Sequence, residues 1–208
     1  MNTKEDLISD LISRGFLKTP SIIKAFKKID RADFVVEEFK KNAYLNEPLS
    51  IGHNQTISQP LTVAFMIERL EPKSGDKILD IGAGSGWQTS LLASVVGKKG
   101  KVIALERILP LKALAEENVE KYGFIKKGIA QVIWGNAISG YAEEAPYDKI
   151  IAAASAEEIP KEWINELKVG GRLVAPVKDS IILIKKVSEA KIERKEYEGF
   201  RFVPLVAE

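Results

Sequence analysis

A glycine-rich turn between an apolar strand and a helix constrains this chain most. Residues 77–81 predict a strand with Asp80 near its end. Gly82, Gly84 and Gly86 follow, and a helical pattern begins after them. Glycines accept positive φ and leave no side chain between the backbone and a ligand. Because open α/β sheets bind ligands at such loops, the turn predicts a cofactor site.

The spacing of the glycines excludes two common nucleotide-binding loops. A dinucleotide fingerprint needs Gly-x-Gly-x-x-Gly, but position 87 is Trp87. No Gly-Lys-Ser/Thr sequence follows, so a phosphate-cradling loop is not supported either. A glycine-rich turn that holds no ligand is the remaining alternative from these residues alone.

An acidic residue after the next strand favours a ligand. Residues 101–105 predict that strand, and Glu106 follows it. A carboxylate about 20 residues past the glycines can accept hydrogen bonds from both hydroxyls of a ribose. The alternative is a surface carboxylate that pairs with neighbouring Arg107.

The chain predicts one α/β domain over 1–208, with a helical N-terminal region and active-site loop at 1–76 and a doubly wound sheet at 77–208. Strands are predicted at 77–81, 101–105, 130–134, 148–153, 171–177, 180–186 and 200–206, and helices at about 86–96, 110–122 and 160–167. The sheet should be mostly parallel. Two residues separate 171–177 from 180–186, so these strands must pair antiparallel at the C-terminal end.

Composition narrows the classes of function. The 208 residues carry a net charge of +2, which gives no electrostatic case for a nucleic-acid partner. There is no apolar run long enough to span a membrane, and the first residues are polar, so a cytoplasmic protein without a membrane partner is expected. The chain lacks cysteine, which excludes thiol catalysis, and its one histidine, His53, argues against a metal site.

The most unusual segment lies before the sheet, at residues 44–60. It is polar and turn-rich, and long loops in compact domains tend to be functional. Its end, Gln55-Thr-Ile-Ser-Gln-Pro60, resembles the hallmark of the protein-L-isoaspartate (D-aspartate) O-methyltransferases. The resemblance extends in order along the chain through Ala43-Tyr44, Pro48-Leu49, Leu79 to Gln88, Glu106-Arg107, Ala145 to Asp148, Glu158-Ile-Pro160, Leu167 to Leu173 and Phe202-Val-Pro-Leu205.

This resemblance implies a Rossmann-like class I methyltransferase fold that uses S-adenosyl-L-methionine. It implies methyl esterification of the free carboxylate of L-isoaspartyl residues, and as a further candidate D-aspartyl residues, in damaged proteins and peptides, which initiates repair. Ser58 is then the catalytic residue, and the substrate-binding residues are Gln55, Thr56, Ile57 and His53. The implied cofactor residues are Asp80, Gly82, Ala83, Gly84, Gly86, Gln88, Glu106, Arg107, Asn136 and Ala137.

The chemistry that this activity requires suits the residues present. A carboxylate has a pKa near ~4, so it is already ionised at neutral pH and needs no general base. The enzyme must align two reactants and exclude water. Ser58 has an alternative structural role as a helix cap, because Pro60 suits the first turn of a helix. For His53 the alternative is an ordinary surface position.

The chain departs from the family pattern at three positions that bear on the site. Asn46 and Asn136 stand where the family commonly has Asp, and Ala137 replaces a glycine. A neutral Asn136 should hold the adenine amino group more weakly than a carboxylate would. Two alternative functions therefore stay open: a related methyltransferase for another carboxylate or small molecule, and a non-catalytic binding module. The expected assembly is a monomer.

Overall fold

The N-terminal region is helical, as the sequence predicts, and it ends in a hairpin and a third helix. The computed structural model describes residues 3–205. Before the main sheet it contains helix α1 (Lys4–Ser13), helix α2 (Pro20–Lys28), 3₁₀ turns at Arg31–Phe34 and Glu37–Asn42, strands β1 (Leu49–Gly52) and β2 (Gln55–Ile57), and helix α3 (Pro60–Leu70). The antiparallel β1–β2 hairpin carries the segment singled out in the sequence.

Seven further strands form one sheet in the order β5-β4-β3-β6-β7-β8-β9. They are β3 (Lys77–Ile81), β4 (Lys101–Glu106), β5 (Ala130–Trp134), β6 (Tyr147–Ala152), β7 (Leu167–Val177), β8 (Ser180–Ser188) and β9 (Lys191–Glu198). Pairing is parallel from β5 to β7 and antiparallel from β7 to β9. The predicted fold class and antiparallel C-terminal end are confirmed.

Helices cover both faces of this sheet. They are α4 (Trp87–Val96), α5 (Leu109–Glu120) and α6 (Lys161–Asn165). On β3, Ile78 belongs to the core cluster shared with the N-terminal helices, whereas Leu79 and Ile81 belong to a second cluster with Trp163 of α6. Strands buried on both faces read as continuous apolar runs, which is why the sequence revealed them.

The last predicted strand, 200–206, is wrong. The final strand is Lys191–Glu198, an edge strand whose residues are almost all exposed and charged, so it lacks the apolar alternation that marks a strand. Residues 200–205 instead run across the carboxyl ends of the parallel strands. There Ser155 N–H donates to the Val203 carbonyl at 2.8 Å, and Leu205 N–H donates to the Ser155 carbonyl at 2.7 Å. Residue 206 lies outside the described residues.

The polypeptide between residues 3 and 205 has no helix long and apolar enough to cross a membrane. The same residues form no cluster of histidine and carboxylate side chains that could hold a metal ion.

Candidate active site

A cavity of about 50 Å³ opens at the carboxyl ends of β3, β4 and β5. We call it the cofactor cavity. Its walls include five of the predicted cofactor residues, Gly82, Glu106, Arg107, Asn136 and Ala137. They also include Gln55, which the sequence placed at the substrate, and Pro204 and Leu205 from the C-terminal segment.

A second space, of about 30 Å³, adjoins the first at Gly82, which lines both. We call it the connecting cavity. It brings the hairpin and the glycine turn together, since its walls include Thr56, Ile57, Ser58, Ala83, Gly84 and Gln88. The predicted substrate and cofactor segments therefore meet here.

An open groove of about 1010 Å³ lies on the far side of the hairpin. We call it the substrate groove. Thr56, Ser58 and Ala153 line both this groove and the connecting cavity. Other walls are Arg14, Phe16, Pro48, Leu61, Phe200, Arg201 and Phe202. Ser58 thus lies between a small cavity and a large groove.

The Glu106 carboxylate ties the glycine turn to β4. Its Oε2 accepts a hydrogen bond from Gly84 N–H, and its Oε1 accepts one from Ile108 N–H, both at 2.9 Å. The side chain is buried, yet it lines the cofactor cavity. A carboxylate offers about four acceptor positions, so the two that remain suffice for a pair of hydroxyl groups.

Asp80 lies behind the turn and lines neither cavity. It is fully buried and accepts hydrogen bonds from Gln88 Nε2 and Thr89 Oγ1, both at 2.7 Å. Burial raises the pKa of Asp80 to about 6, opposed by these two hydrogen bonds. Its carboxylate therefore fixes the first turn of α4 and the Gln88 side chain, which does line the connecting cavity.

The three glycines of the turn have different neighbours. All have positive φ, at 82° for Gly82, 55° for Gly84 and 86° for Gly86. Gly86 lines neither cavity. A Cβ there would lie 2.9 Å from Val119 Cγ2 and 3.0 Å from the Ala115 carbonyl oxygen. Gly86 therefore permits close packing of α4 on α5, whereas Gly82 and Gly84 expose backbone to the cavities.

Both asparagines that depart from the family pattern accept hydrogen bonds from backbone N–H groups. Asn136 Oδ1 accepts from Ile138 N–H at 3.0 Å, at the start of a 3₁₀ turn. Asn46 Oδ1 accepts from Leu61 N–H at 2.9 Å, in the first turn of α3. Asn46 is therefore the residue that caps this helix.

That contact overturns the cap role weighed for Ser58. The N-cap position of α3 is Gln59, and Ser58 is not the cap. Ser58 is half-buried, and its carbonyl accepts from Arg31 Nη2 at 3.1 Å. His53 lies exposed in the β1–β2 turn with a φ of 53° and lines none of the three spaces, so its substrate role stays a prediction.

Two parts of the site were not predicted. Residues 199–205 line the cofactor cavity and the substrate groove, but the apolar residues in this segment indicated a strand. Arg31 holds the hairpin loop from a distance of 27 residues along the chain. A single arginine in a region of helical periodicity does not indicate this contact in the sequence. Only the burial of Arg31 in the structure reveals it.

Comparison with known proteins gives a consistent result. The family model described as protein-L-isoaspartate(D-aspartate) O-methyltransferase matches residues 2–208. A protein-L-isoaspartate O-methyltransferase from Methanopyrus kandleri is 38% identical over 209 residues, covering 99% of this chain and 92% of the relative. One from Methanococcus aeolicus is 42% identical over 206 residues, covering 97% and 93%.

A solved structure shares the fold along the whole chain. It is a Plasmodium falciparum protein assigned to the protein-L-isoaspartate O-methyltransferases, in complex with S-adenosyl-L-homocysteine. The two chains superpose with a TM-score of 0.90 at 26% identity, covering 100% of each.

Proposed function

The chain belongs to the protein-L-isoaspartate(D-aspartate) O-methyltransferase family, and we propose that it methylates the free carboxylate of L-isoaspartyl residues in damaged proteins. The methyl donor is S-adenosyl-L-methionine. D-Aspartyl residues are a second candidate substrate. The observation that carries the proposal is the junction at Ser58 and Thr56, two residues that line both the connecting cavity and the substrate groove.

The residues that line the cofactor cavity suit the chemistry of the donor. The positive φ of Gly82 and Gly84 leaves the backbone uncovered at the turn. Glu106 retains acceptor capacity for ribose hydroxyls. Arg107 Nη1 is buried and has no hydrogen-bond partner among residues 3–205, so a polar ligand group in the cavity would satisfy it.

The reaction requires the protein to position the substrate carboxylate and the methyl donor; no proton has to be transferred. When bound, the donor supplies an electrophilic methyl group on a sulfonium centre. The Ser58 and Thr56 hydroxyls can donate to the substrate carboxylate without taking its charge. The hairpin and residues 199–203 line the substrate groove beside the junction, where water must be kept from the reactants. Alignment in a dry site is the main source of rate for such a transfer.

The volume of the substrate groove, about 1010 Å³, favours a peptide over a small carboxylate. Its walls combine Arg14 and Arg201 with aromatic side chains of Phe16, Phe200 and Phe202. A metabolite of a few atoms would leave most of these walls uncovered. The related function on a small molecule is therefore the less favoured alternative.

The test uses two matched peptides and a labelled methyl donor. One peptide carries an isoaspartyl residue, and the other carries a normal aspartyl residue in the same sequence. We expect base-labile label on the first peptide and little on the second. Equal labelling of both, or labelling of neither while the donor still binds, would contradict the proposed function.

We further propose that the enzyme acts as a monomeric single domain. The N-terminal helices share a hydrophobic core with the sheet, which supports a single domain. Sedimentation at assay concentration measures the oligomeric state directly. A cytoplasmic location and the absence of a nucleic-acid partner stay predictions from the sequence.

A further inference from the structure

A buried arginine gathers the backbone of the active-site loop. Arg31 is 2% exposed and lies in the 3₁₀ turn before this loop. Its guanidinium donates to four carbonyls: Nη1 to Ala43 at 2.8 Å and Leu45 at 3.3 Å, and Nη2 to Glu47 at 2.9 Å and Ser58 at 3.1 Å. Both ends of the segment that carries the predicted substrate residues are therefore attached to one side chain.

The same guanidinium also contacts the donor side of the site. Its Cζ lies 5.3 Å from the centre of the Trp87 ring, within the range of a cation–π contact. Trp87 is the first residue of α4, directly after the glycine turn, and it lines the connecting cavity. Arg31 therefore contacts residues on both sides of the connecting cavity, Ser58 from the hairpin loop and Trp87 from α4.

The charge of the Arg31 guanidinium is energetically unfavourable at a buried position, so its presence there suggests a specific role. Burial lowers the pKa of Arg31 to about 9, partly offset by Glu47, so the guanidinium stays charged at neutral pH. A well-packed apolar side chain is often at least as stabilising as a buried ion. An apolar side chain cannot, however, hold four carbonyls in one place, and the planar guanidinium can.

We infer that Arg31 is a positioning residue for the methyl transfer. It fixes the backbone of residues 43–58 against the start of α4, so that Ser58 stays at the junction of cavity and groove. This role rests on the proposed function. It predicts a defect in turnover and in the order of the loop, with a much smaller effect on donor binding, because none of the four carbonyls lies in the glycine turn and only Gln55 of the loop lines the cofactor cavity.

The test compares Arg31→Met with Arg31→Lys. Methionine fills similar space without donors, whereas an ammonium can still reach some of the carbonyls. Because a misplacement of about 1 Å can cost about 100-fold in rate, we expect kcat on the isoaspartyl peptide to fall about 100-fold in Arg31→Met. Arg31→Lys should recover part of that loss. The Kd of S-adenosyl-L-homocysteine should change less than threefold in both variants.

The matched control is Arg172→Met. Arg172 Nη1 also donates to a backbone carbonyl, that of Arg69, at 2.8 Å, and it pairs with Glu71, away from the cavities. We expect its turnover to stay at the wild-type level below the melting transition. If Arg31→Met unfolds, Arg31→Lys and the control still give the comparison.

Amide exchange separates this inference from the proposed function. Protection of residues 43–58 should fall in both Arg31 variants and stay unchanged in Arg172→Met, whether or not any peptide is methylated. Unchanged exchange with unchanged kcat would overturn the inference. So would an equal loss of S-adenosyl-L-homocysteine affinity and turnover, since Arg31 would then act on the donor pocket. Failure of the wild-type protein on both peptides would contradict the function alone.

Discussion

Glu106 Oε2 accepts a hydrogen bond from Gly84 N–H at 2.9 Å. The carboxylate that we expect to hold the ribose of the donor therefore also holds the glycine-rich turn. One side chain couples the end of β4 to the loop that follows β3, although 22 residues separate them.

Removing this carboxylate should weaken donor binding. We expect Glu106→Ala to lower the affinity for S-adenosyl-L-homocysteine by ~2 kcal/mol or more, since charge-assisted hydrogen bonds are lost and the Gly84 N–H loses its partner. Isothermal titration measures the change, with Glu193→Ala on the exposed edge strand as control. An unchanged Kd would show that the ribose is held elsewhere.

Replacing Ser58 should affect chemistry and leave the fold intact. Because α3 is capped by Asn46, Ser58→Ala should not cost the ~1 kcal/mol typical of a lost N-cap. Turnover on the isoaspartyl peptide should fall while donor affinity stays constant. The control is Asn46→Ala, which removes the cap and should lower the melting temperature. Full activity in Ser58→Ala would exclude the catalytic assignment.

Asn136→Asp should tighten donor binding by about 1 kcal/mol. The single Asn136 side-chain oxygen already accepts from Ile138 N–H, which leaves it one uncharged acceptor position. A carboxylate has two oxygens, so one can cap the turn while the other accepts from the adenine amino group. Titration with S-adenosyl-L-homocysteine gives the difference. A weaker complex would mean that the cavity is adapted to asparagine.

The Asp80 carboxyl should make stability depend on pH in the acidic range. Its pKa is about 6 in the folded protein, above the ~3.9 of an unfolded chain. The group therefore stabilises the fold fully below about pH 4, and that contribution is lost as the pH rises through about 6. Relative to Asp80→Asn, the unfolding free energy of the wild type should fall by up to about 3 kcal/mol over this range. Denaturant titrations at each pH measure it, and parallel curves for the two proteins would refute it.

The sequence by itself determined the central strands of the sheet and the position of the glycine-rich turn. Strands β3, β4 and β6 are buried on both faces, so their apolar runs are visible without a structure. The glycine spacing reflects the local requirements of one loop, and Glu106 stands directly after an apolar strand. Such features depend on neighbours in the chain, and the residue types alone reveal them.

Only the tertiary structure decided which distant groups meet. The exposed edge strand Lys191–Glu198 lacks the apolar alternation from which a strand can be predicted. Residues 200–205 lie over the cavities through backbone hydrogen bonds with Ser155. Asn46 caps a helix 15 positions away, and Arg31 reaches the Ser58 carbonyl across 27. A hydrogen bond between residues far apart in sequence imposes no periodicity on either segment. Such pairs can therefore be identified only in the folded structure.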